Sequence, residues 1–394
     1  MKKKLLFIYH SMIIGGSTTA LLSLLNNLDP DKYEVDLQLF RNQGPLLNAI
    51  PDHVKLLPEA ERYKGIKGRL AKLCKFIFSG HAFRFLWHKC RGGNARAELS
   101  AFQSQTLSRK NKKEYDYAIG FLEGWSDWYL AFGTKAKKKY AWLHSTYANI
   151  TKEPTSELPW MELVDNIVFV TDSCREAFCE TLPQMAEKSV TVENITDSEI
   201  IRKRSLQIDK NDADYQTFAT SEKFKIITVC RITIQVKGLD RIVHAAKVLK
   251  EKGYAFLWYI VGDGEDKEEL QAMINSAEVG DCLMLIGKRM NPYPFMAAAD
   301  IMCMPSRYEG KPIVVTESMI LGVPPVVTEY LSAREQIKNA TEGIVVENRN
   351  DSAVDGVLRC LQSKELLDSM KQHLRTHEYG NADYLLDVEK KLFS

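Results

Sequence analysis

The 394-residue chain lacks several features that would fix its class at once. It has no run of 18 or more apolar residues, so no membrane-spanning helix is expected. It has no Cys-x-x-Cys pair. Its eight cysteines are scattered, which in a chain this long reads as reduced, packed thiols rather than a disulfide frame. No His/Cys cluster has metal-ligand spacing, and no Gly-x-Ser-x-Gly element suggests a hydrolase. An excess of one charge is also missing. Lys plus Arg number 53 against 51 Asp plus Glu, a net +2, which gives no global signal for nucleic acid. No basic face interleaved with aromatics forms a recognised nucleic-acid module. Gly262-Asp-Gly264 follows an apolar run, but Lys267 stands where a dinucleotide fingerprint needs its third glycine, so NAD is disfavoured. Asp-x-Asp occurs at Asp29-Pro-Asp31 and Asp212-Ala-Asp214. Neither ends a strand, and both read as turn or solvated residues rather than a metal site.

The length exceeds the usual single-core domain, so two domains are expected. The basic start Lys2-Lys-Lys imitates a signal peptide, but its apolar run is broken by His10 and reads as a buried first strand. In the first half, short apolar runs predict strands at 5–9, 35–40, 117–121, 140–144, 166–170 and 190–192. Thr171-Asp-Ser is a helix-opening cap. Residues 202–222 are polar and weakly periodic and read as a boundary region. The second half alternates cleanly. Strands are expected at 225–230, 256–261, 283–286, 301–304, 325–328 and 343–346, with helices near 238–251, 265–277, 293–299, 312–321 and 332–338. That alternation implies a parallel sheet with helices on both faces.

The richest stretch is Arg307-Tyr-Glu-Gly-Lys-Pro-Ile-Val-Val-Thr-Glu317. Glu309 falls in a loop and Glu317 inside the following helix, with Pro312 suited to the first helical position. The N–H groups of Gly310, Lys311 and Ile313 crowd the helix start, an anion site. Such a layout suits a ligand with phosphates in its middle and hydroxyl-rich groups at either end, as in a nucleotide sugar. The spacing alone is equally met by a helix-capping Glu309 and a solvated Glu317. A second segment adds weight. Lys225-Ile-Ile-Thr-Val-Cys-Arg231 reads as a buried strand ending in a cation, and Lys237-Gly238 opens the next helix. In open α/β sheets ligands bind at the carboxyl ends of strands, and two cations there can neutralise a diphosphate without a metal.

Together these pieces resemble glycosyltransferase family 4, retaining enzymes of the GT-B fold, over most of the chain. Strand 5–9, the Gly15-Gly16 loop and helix 17–28 resemble the family's opening, and Thr191-Val-Glu-Asn194 its inter-domain segment. Arg231…Lys237-Gly238, Val261-Gly-Asp-Gly264, Ala299-Asp300…Pro305-Ser306 and Glu309…Glu317 resemble its nucleotide-binding half. Lys311 and Ile195-Thr-Asp197 depart from it, where the family usually carries an apolar residue and Gly-Ile-Asp. The resemblance implies two Rossmann-like α/β domains facing across a cleft, 1–200 for the acceptor and 201–375 for the nucleotide sugar, with a helix over 376–394 returning to the first.

It further implies a hexosyl- or N-acetylhexosaminyltransferase that uses a UDP-sugar and needs no cofactor or metal. The acceptor would be a saccharide, lipid-linked, in bacterial capsule or exopolysaccharide synthesis at the inner face of the plasma membrane. Glu317 would bind the ribose and Glu309 the donor sugar, with His144 lining the sugar site. Arg289 and Met290 would lie at the base, and Gly15 and Gly16 would let backbone approach ligand. Arg231, Lys237 and the amides at 310–313 would stabilise charge developing on the leaving diphosphate. A sugar-nucleotide epimerase of the same fold and a non-catalytic sugar-nucleotide-binding partner in a membrane assembly are the alternatives.

One local imbalance stands out. Residues 61–113 hold 14 Lys or Arg against two acids, Glu61 and Glu98. Ile66, Leu70, Leu73 and Ile77 share a helical stripe. Lys67, Arg69, Lys72 and Lys75 take the rest of the circumference, and Phe76, Phe78, Phe83, Phe85, Leu86 and Trp87 widen the apolar surface. Residues 62–113 therefore predict either a face for an anionic membrane or a core helix with a solvated basic side.

Overall fold

The computed structural model describes residues 2–63, 65–91, 95–150 and 153–393; the side chains of Ile66, Arg69, Arg91, Asn149 and Ile150 lie outside the described set. Two compact units form. One takes the chain up to residue 194 together with 383 onward, and the other takes residues 195–382.

The first unit carries strands β1 (Lys3–Tyr9), β2 (Tyr33–Leu39), β3 (Val54–Leu56), β4 (Glu114–Gly120), β5 (Lys135–Leu143), β6 (Asn166–Phe169) and β7 (Ser189–Thr191). They pair in parallel in the order β3-β2-β1-β4-β5-β6-β7. Leu5 to Tyr9 are all buried, as expected of a strand covered on both faces. β3 gave no sequence signal because three residues are too few for a period. β5 begins five residues before the apolar run that announced it. Lys135 to Lys139 extend it because β4 offers a free ladder there, and Lys137 meets Asp116 at 2.7 Å. The Thr171 hydroxyl caps the helix Asp172–Thr181, accepting from the Cys174 N–H at 3.1 Å.

The second unit carries β8 (Phe224–Val229), β9 (Phe256–Val261), β10 (Leu283–Gly287), β11 (Ile301–Met304), β12 (Pro325–Thr328) and β13 (Ile344–Val346). All pairings are parallel, in the order β10-β9-β8-β11-β12-β13. One face is covered by the helices Leu239–Glu251, Lys267–Ser276 and Ser352–Gln362, the other by Ala213–Thr220, Tyr293–Ala297 and Ile313–Ile320. A buried polar chain ties the middle strands. Trp258 Nε1 donates to Thr228 Oγ1 at 3.0 Å, which donates to the Cys303 carbonyl at 2.6 Å.

The boundaries fall at 194/195 and 382/383 rather than at 200/201 and 375/376. The stretch 202–222 is not a linker. It contains parts of the helix Ser198–Ser205 and all of Ala213–Thr220, whose Ile201 and Phe218 are buried in the second unit. Phe218 stacks on Tyr259 with ring centroids 4.6 Å apart. At the other end, Arg202 meets Glu378 at 2.9 Å, and the Thr196 N–H donates to Asn381 at 2.7 Å, holding the chain to the second unit as far as 382. The helix Leu385–Leu392 belongs to the first unit. Phe393 packs on Tyr33 and Tyr117, and Lys391 donates to the Thr191 carbonyl.

Candidate functional site

In the second unit the sheet order reverses beside β8, with β9 on one side and β11 on the other. The chain leaves β8 and β11 toward opposite faces, which opens a crevice at their carboxyl ends. Lys237, Glu309 and Arg231 come together there.

The segments leaving the two strands are stapled together. A Cβ on Gly238, whose φ is +64°, would lie 2.1 Å from the Pro305 carbonyl oxygen, so only glycine permits this approach. The Arg307 N–H donates to the Val236 carbonyl at 2.9 Å, and its guanidinium forks onto Asp240 at 2.6 and 2.8 Å. Arg241 reaches the Pro305 carbonyl at 3.1 Å and Asn348 at 2.8 Å. With the backbone fixed, Lys237 Nζ meets Glu309 Oε1 at 2.6 Å. Their side chains are 20% and 11% exposed. Burial pushes the Lys237 ammonium toward neutrality, but the Glu309 carboxylate outweighs it, and the pKa ends above the ordinary lysine value. Arg231 lies next to this pair in the loop after β8; it is exposed and has no side-chain hydrogen bond or ion pair among the described residues.

The two glycines of Val261-Gly-Asp-Gly264 lie under that loop. A Cβ on Gly262 would sit 1.9 Å from the Cys230 carbonyl oxygen, and one on Gly264 2.1 Å from that of Ile232. The Ile232 N–H also donates to the Asp263 carbonyl at 3.0 Å. These glycines therefore shape the backbone that presents Arg231.

The helix after Glu309 is Ile313–Ile320. Pro312 is its N-cap, with ψ 116°, not its first turn: the sequence expectation was early by one residue. Ser332 donates to the Gly310 carbonyl, and Gln336 to the Pro312 carbonyl and to Thr316, each at 3.0 Å. The loop carrying Glu309, Gly310 and Lys311 is thus braced from residues 332–336, which gave no functional signal in the sequence.

Glu317 is not a solvated helix residue. Its side chain faces inward, the residue is 7% exposed, and its Oε1 accepts from the Tyr293 hydroxyl at 2.7 Å. Burial raises its pKa, while the Tyr293 hydrogen bond and the nearby Arg204 guanidinium offset this in part. Arg204 lies 4.9 Å from the centre of the Tyr293 ring and donates to the Met290 carbonyl at 2.9 Å. Tyr293 and Arg204 were missed by sequence reasoning, since neither sits in a recognisable pattern. Met290 is half exposed. Arg289, expected at the base, has its guanidinium engaged within the unit. Its guanidinium is held by Asp212 at 3.0 Å and Asp214 at 2.5 Å. The pair Asp212-Ala-Asp214, read as solvated, is instead a helix cap and an ion-pair partner.

The first unit presents its own switch point, since β1 is flanked by β2 and β4. Gly15 and Gly16 follow β1 and open the helix Gly16–Asn27, and a Cβ on either would meet nothing within 4 Å. His144 follows β5. Its backbone N–H donates to Glu123 at 3.1 Å, Asn194 Nδ2 lies 3.3 Å from its Nδ1, and Phe121 packs on its ring. Its Nε2 is buried without a hydrogen bond of normal geometry among the described residues. Burial lowers its pKa to about 4, with the Glu123 carboxylate and the Phe121 carbonyl offsetting this only in part. At neutral pH the ring is uncharged.

Comparison with known proteins bears on the fold and on the second unit. Residues 209–377 match the sequence model of glycosyl transferases group 1. The amylovoran biosynthesis glycosyltransferase AmsK of Erwinia amylovora is 28% identical over 155 residues, 37% of this chain and 38% of that protein. A Campylobacter jejuni enzyme is 30% identical over 119 residues, 30% of this chain and 33% of that one. It is named as the N-acetylgalactosamine-N,N'-diacetylbacillosaminyl-diphospho-undecaprenol 4-alpha-N-acetylgalactosaminyltransferase. The chain thus spans about two fifths or less of the length of these curated relatives. HepE of Anabaena, solved with UDP and glucose, superposes with a TM-score of 0.70 at 15% identity, covering 100% of both chains. The molecule is a two-unit α/β protein of the GT-B fold class, with the group 1 glycosyl transferase match lying on its second unit.

Proposed function

We propose that the chain is a retaining, metal-independent glycosyltransferase that moves a sugar from a UDP-sugar to a saccharide acceptor, lipid-linked, in bacterial surface-polysaccharide synthesis. The observation that carries this is the Lys237–Glu309 pair at 2.6 Å, formed at the β8/β11 switch point beside the exposed Arg231. An ammonium has three donors, so Lys237 can hold Glu309 and still donate to a phosphate. Breaking the bond from sugar C1 to the diphosphate leaves negative charge on the leaving group. Lys237, Arg231 and the amides at 310–313 would stabilise that charge, and fixed donors of this kind lower the barrier. Glu309, steadied by Lys237, would accept from donor-sugar hydroxyls, and Glu317, steadied by Tyr293, from the ribose. His144, neutral at physiological pH, would act by hydrogen bonding rather than by charge.

Two comparisons support the finer terms of this reading. HepE is a structural neighbour solved with UDP and glucose, and the Campylobacter relative is named for a diphospho-undecaprenol substrate. The test is to incubate the protein with a panel of nucleotide sugars and follow slow hydrolysis without acceptor, with chelator present. One UDP-sugar should be turned over, the anomeric configuration of the first product should be retained by NMR, and Glu309→Ala should lower turnover. Inversion, or activity that needs added manganese, would overturn the reading.

A further inference from the structure

The segment between β3 and β4 in the first unit leaves a large apolar face uncovered. It forms the helices Gly65–Phe78, His81–Arg91 and Ala95–Phe102. Each of the first two helices divides cleanly around its circumference. On Gly65–Phe78 the inward positions are Gly68, Lys72 and Phe76, one helical repeat apart. Gly68 approaches the Tyr63 backbone, Lys72 pairs with Glu61, and Phe76 packs on Phe85 and Phe102 at 5.8 and 5.0 Å. On His81–Arg91 the inward positions are His81, Phe85 and His88, with His81 pairing to Glu98 and His88 to Glu153. Phe76, Phe85 and Lys72, counted by sequence among the outer groups, are therefore the inner anchors.

The outer positions are apolar and exposed. Leu70, Leu73, Ile77 and Phe78 are 62%, 56%, 53% and 87% exposed. Phe83, Leu86 and Trp87 on the next helix are 72%, 57% and 43% exposed. The core-helix alternative fails on this point, since the apolar stripe itself faces outward. Seven large apolar side chains exposed on two consecutive helices exceed the scattered single exposures of an ordinary surface and point to an interaction site.

Charge selects the occupant. Both acids of residues 61–113 are engaged within the unit, Glu61 by Arg41 and Lys72 and Glu98 by His81 and Arg84. Lys67, Lys75 and Lys89 remain exposed, with Lys75 over the Tyr63 ring. Protein–protein interface cores are depleted in lysine. Protruding Phe, Leu and Trp bordered by lysines match the boundary between acyl chains and anionic headgroups. We propose that this helical pair docks on an anionic bilayer surface, inserting the outer apolar side chains while the lysines lie against the headgroups.

The test is flotation of the full chain with phosphatidylcholine vesicles, with and without phosphatidylglycerol. Binding should require phosphatidylglycerol and weaken as salt rises. Leu73→Ser, Phe78→Ser and Phe83→Ser together should reduce it at least about tenfold without moving the melting temperature, since all three side chains are exposed. Lys67→Ser, Lys75→Ser and Lys89→Ser together should reduce it comparably. Equal flotation with neutral and anionic vesicles would overturn the proposal. So would unchanged binding by the apolar triple variant, or a triple variant that only converts an oligomer of this chain to monomers. No substrate is present in this assay, so its outcome is separate from that of the transferase reading.

Discussion

Glu317→Gln tests whether the second glutamate is a strained functional group or a structural one. The change keeps the side-chain shape and the acceptor for the Tyr293 hydroxyl, which lies 2.7 Å from Oε1. It removes a negative charge from a residue that is 7% exposed. Burial raises the Glu317 pKa in the folded protein above its unfolded value. The folded state therefore holds this proton more tightly than the unfolded state. Stability falls as pH rises through that window, and the penalty is fully present above the folded value. Relieving a buried, incompletely compensated polar charge is worth about 1–2 kcal/mol. In a unit of this size that corresponds to a melting-temperature gain of roughly 2–8 °C. The nucleotide-free variant should therefore be more stable than wild type at pH 7.5. The gap should close as pH falls toward the ordinary glutamate range, where wild-type Glu317 is protonated too. The same variant should bind UDP at least about tenfold more weakly, because it loses a charge-assisted acceptor for the ribose. Differential scanning fluorimetry across pH 5–8 and calorimetric titration with UDP read the two effects. A variant less stable than wild type at pH 7.5, or a gap that does not change with pH, would refute the reasoning. Wild-type affinity would remove the ribose role.

Three further outcomes follow from the same structure. Transfer should survive strong chelation but not the combined Arg231→Ala and Lys237→Ala change, measured as initial rates with and without chelator; chelator-sensitive activity would point to a metal. Gly262→Ala places a Cβ 1.9 Å from the Cys230 carbonyl oxygen, a backbone atom that cannot swing aside, so urea denaturation should show a loss of about 3 kcal/mol, and a wild-type midpoint would contradict the close approach. The His144 ring signals should stay flat in an NMR titration from pH 8 to pH 5.5, because burial holds its pKa near 4. Its stabilising contribution is present above the ordinary histidine value and is lost as pH falls below it, and a midpoint near 6.5 would refute this placement.

What the sequence determined by itself is the local layer. The spans Phe256–Val261, Ile301–Met304 and Pro325–Thr328 were legible to the residue, because a strand buried on both faces is a short apolar run bounded by glycine, proline or charged residues on at least one side. The Thr171 cap and the order of the glutamate, lysine and glycine motifs were legible for the same reason: each depends on neighbours within a few positions. Only the tertiary structure decided the rest. The sheet order brings the ends of β8 and β11 together, and so makes partners of Lys237 and Glu309, 72 positions apart. It sets Tyr293 against Glu317 and draws Arg289 onto Asp212 and Asp214. It also turned the weakly periodic stretch 202–222 into packed helices, because burial of Phe218 against Tyr259 supplies what local propensity does not. The helical pair after β3 shows the same division. Its period was visible in the sequence, but which stripe faced inward depended on the small inner set of Phe76, Phe85 and Phe102, and burial is a property of neighbours that one helix cannot specify.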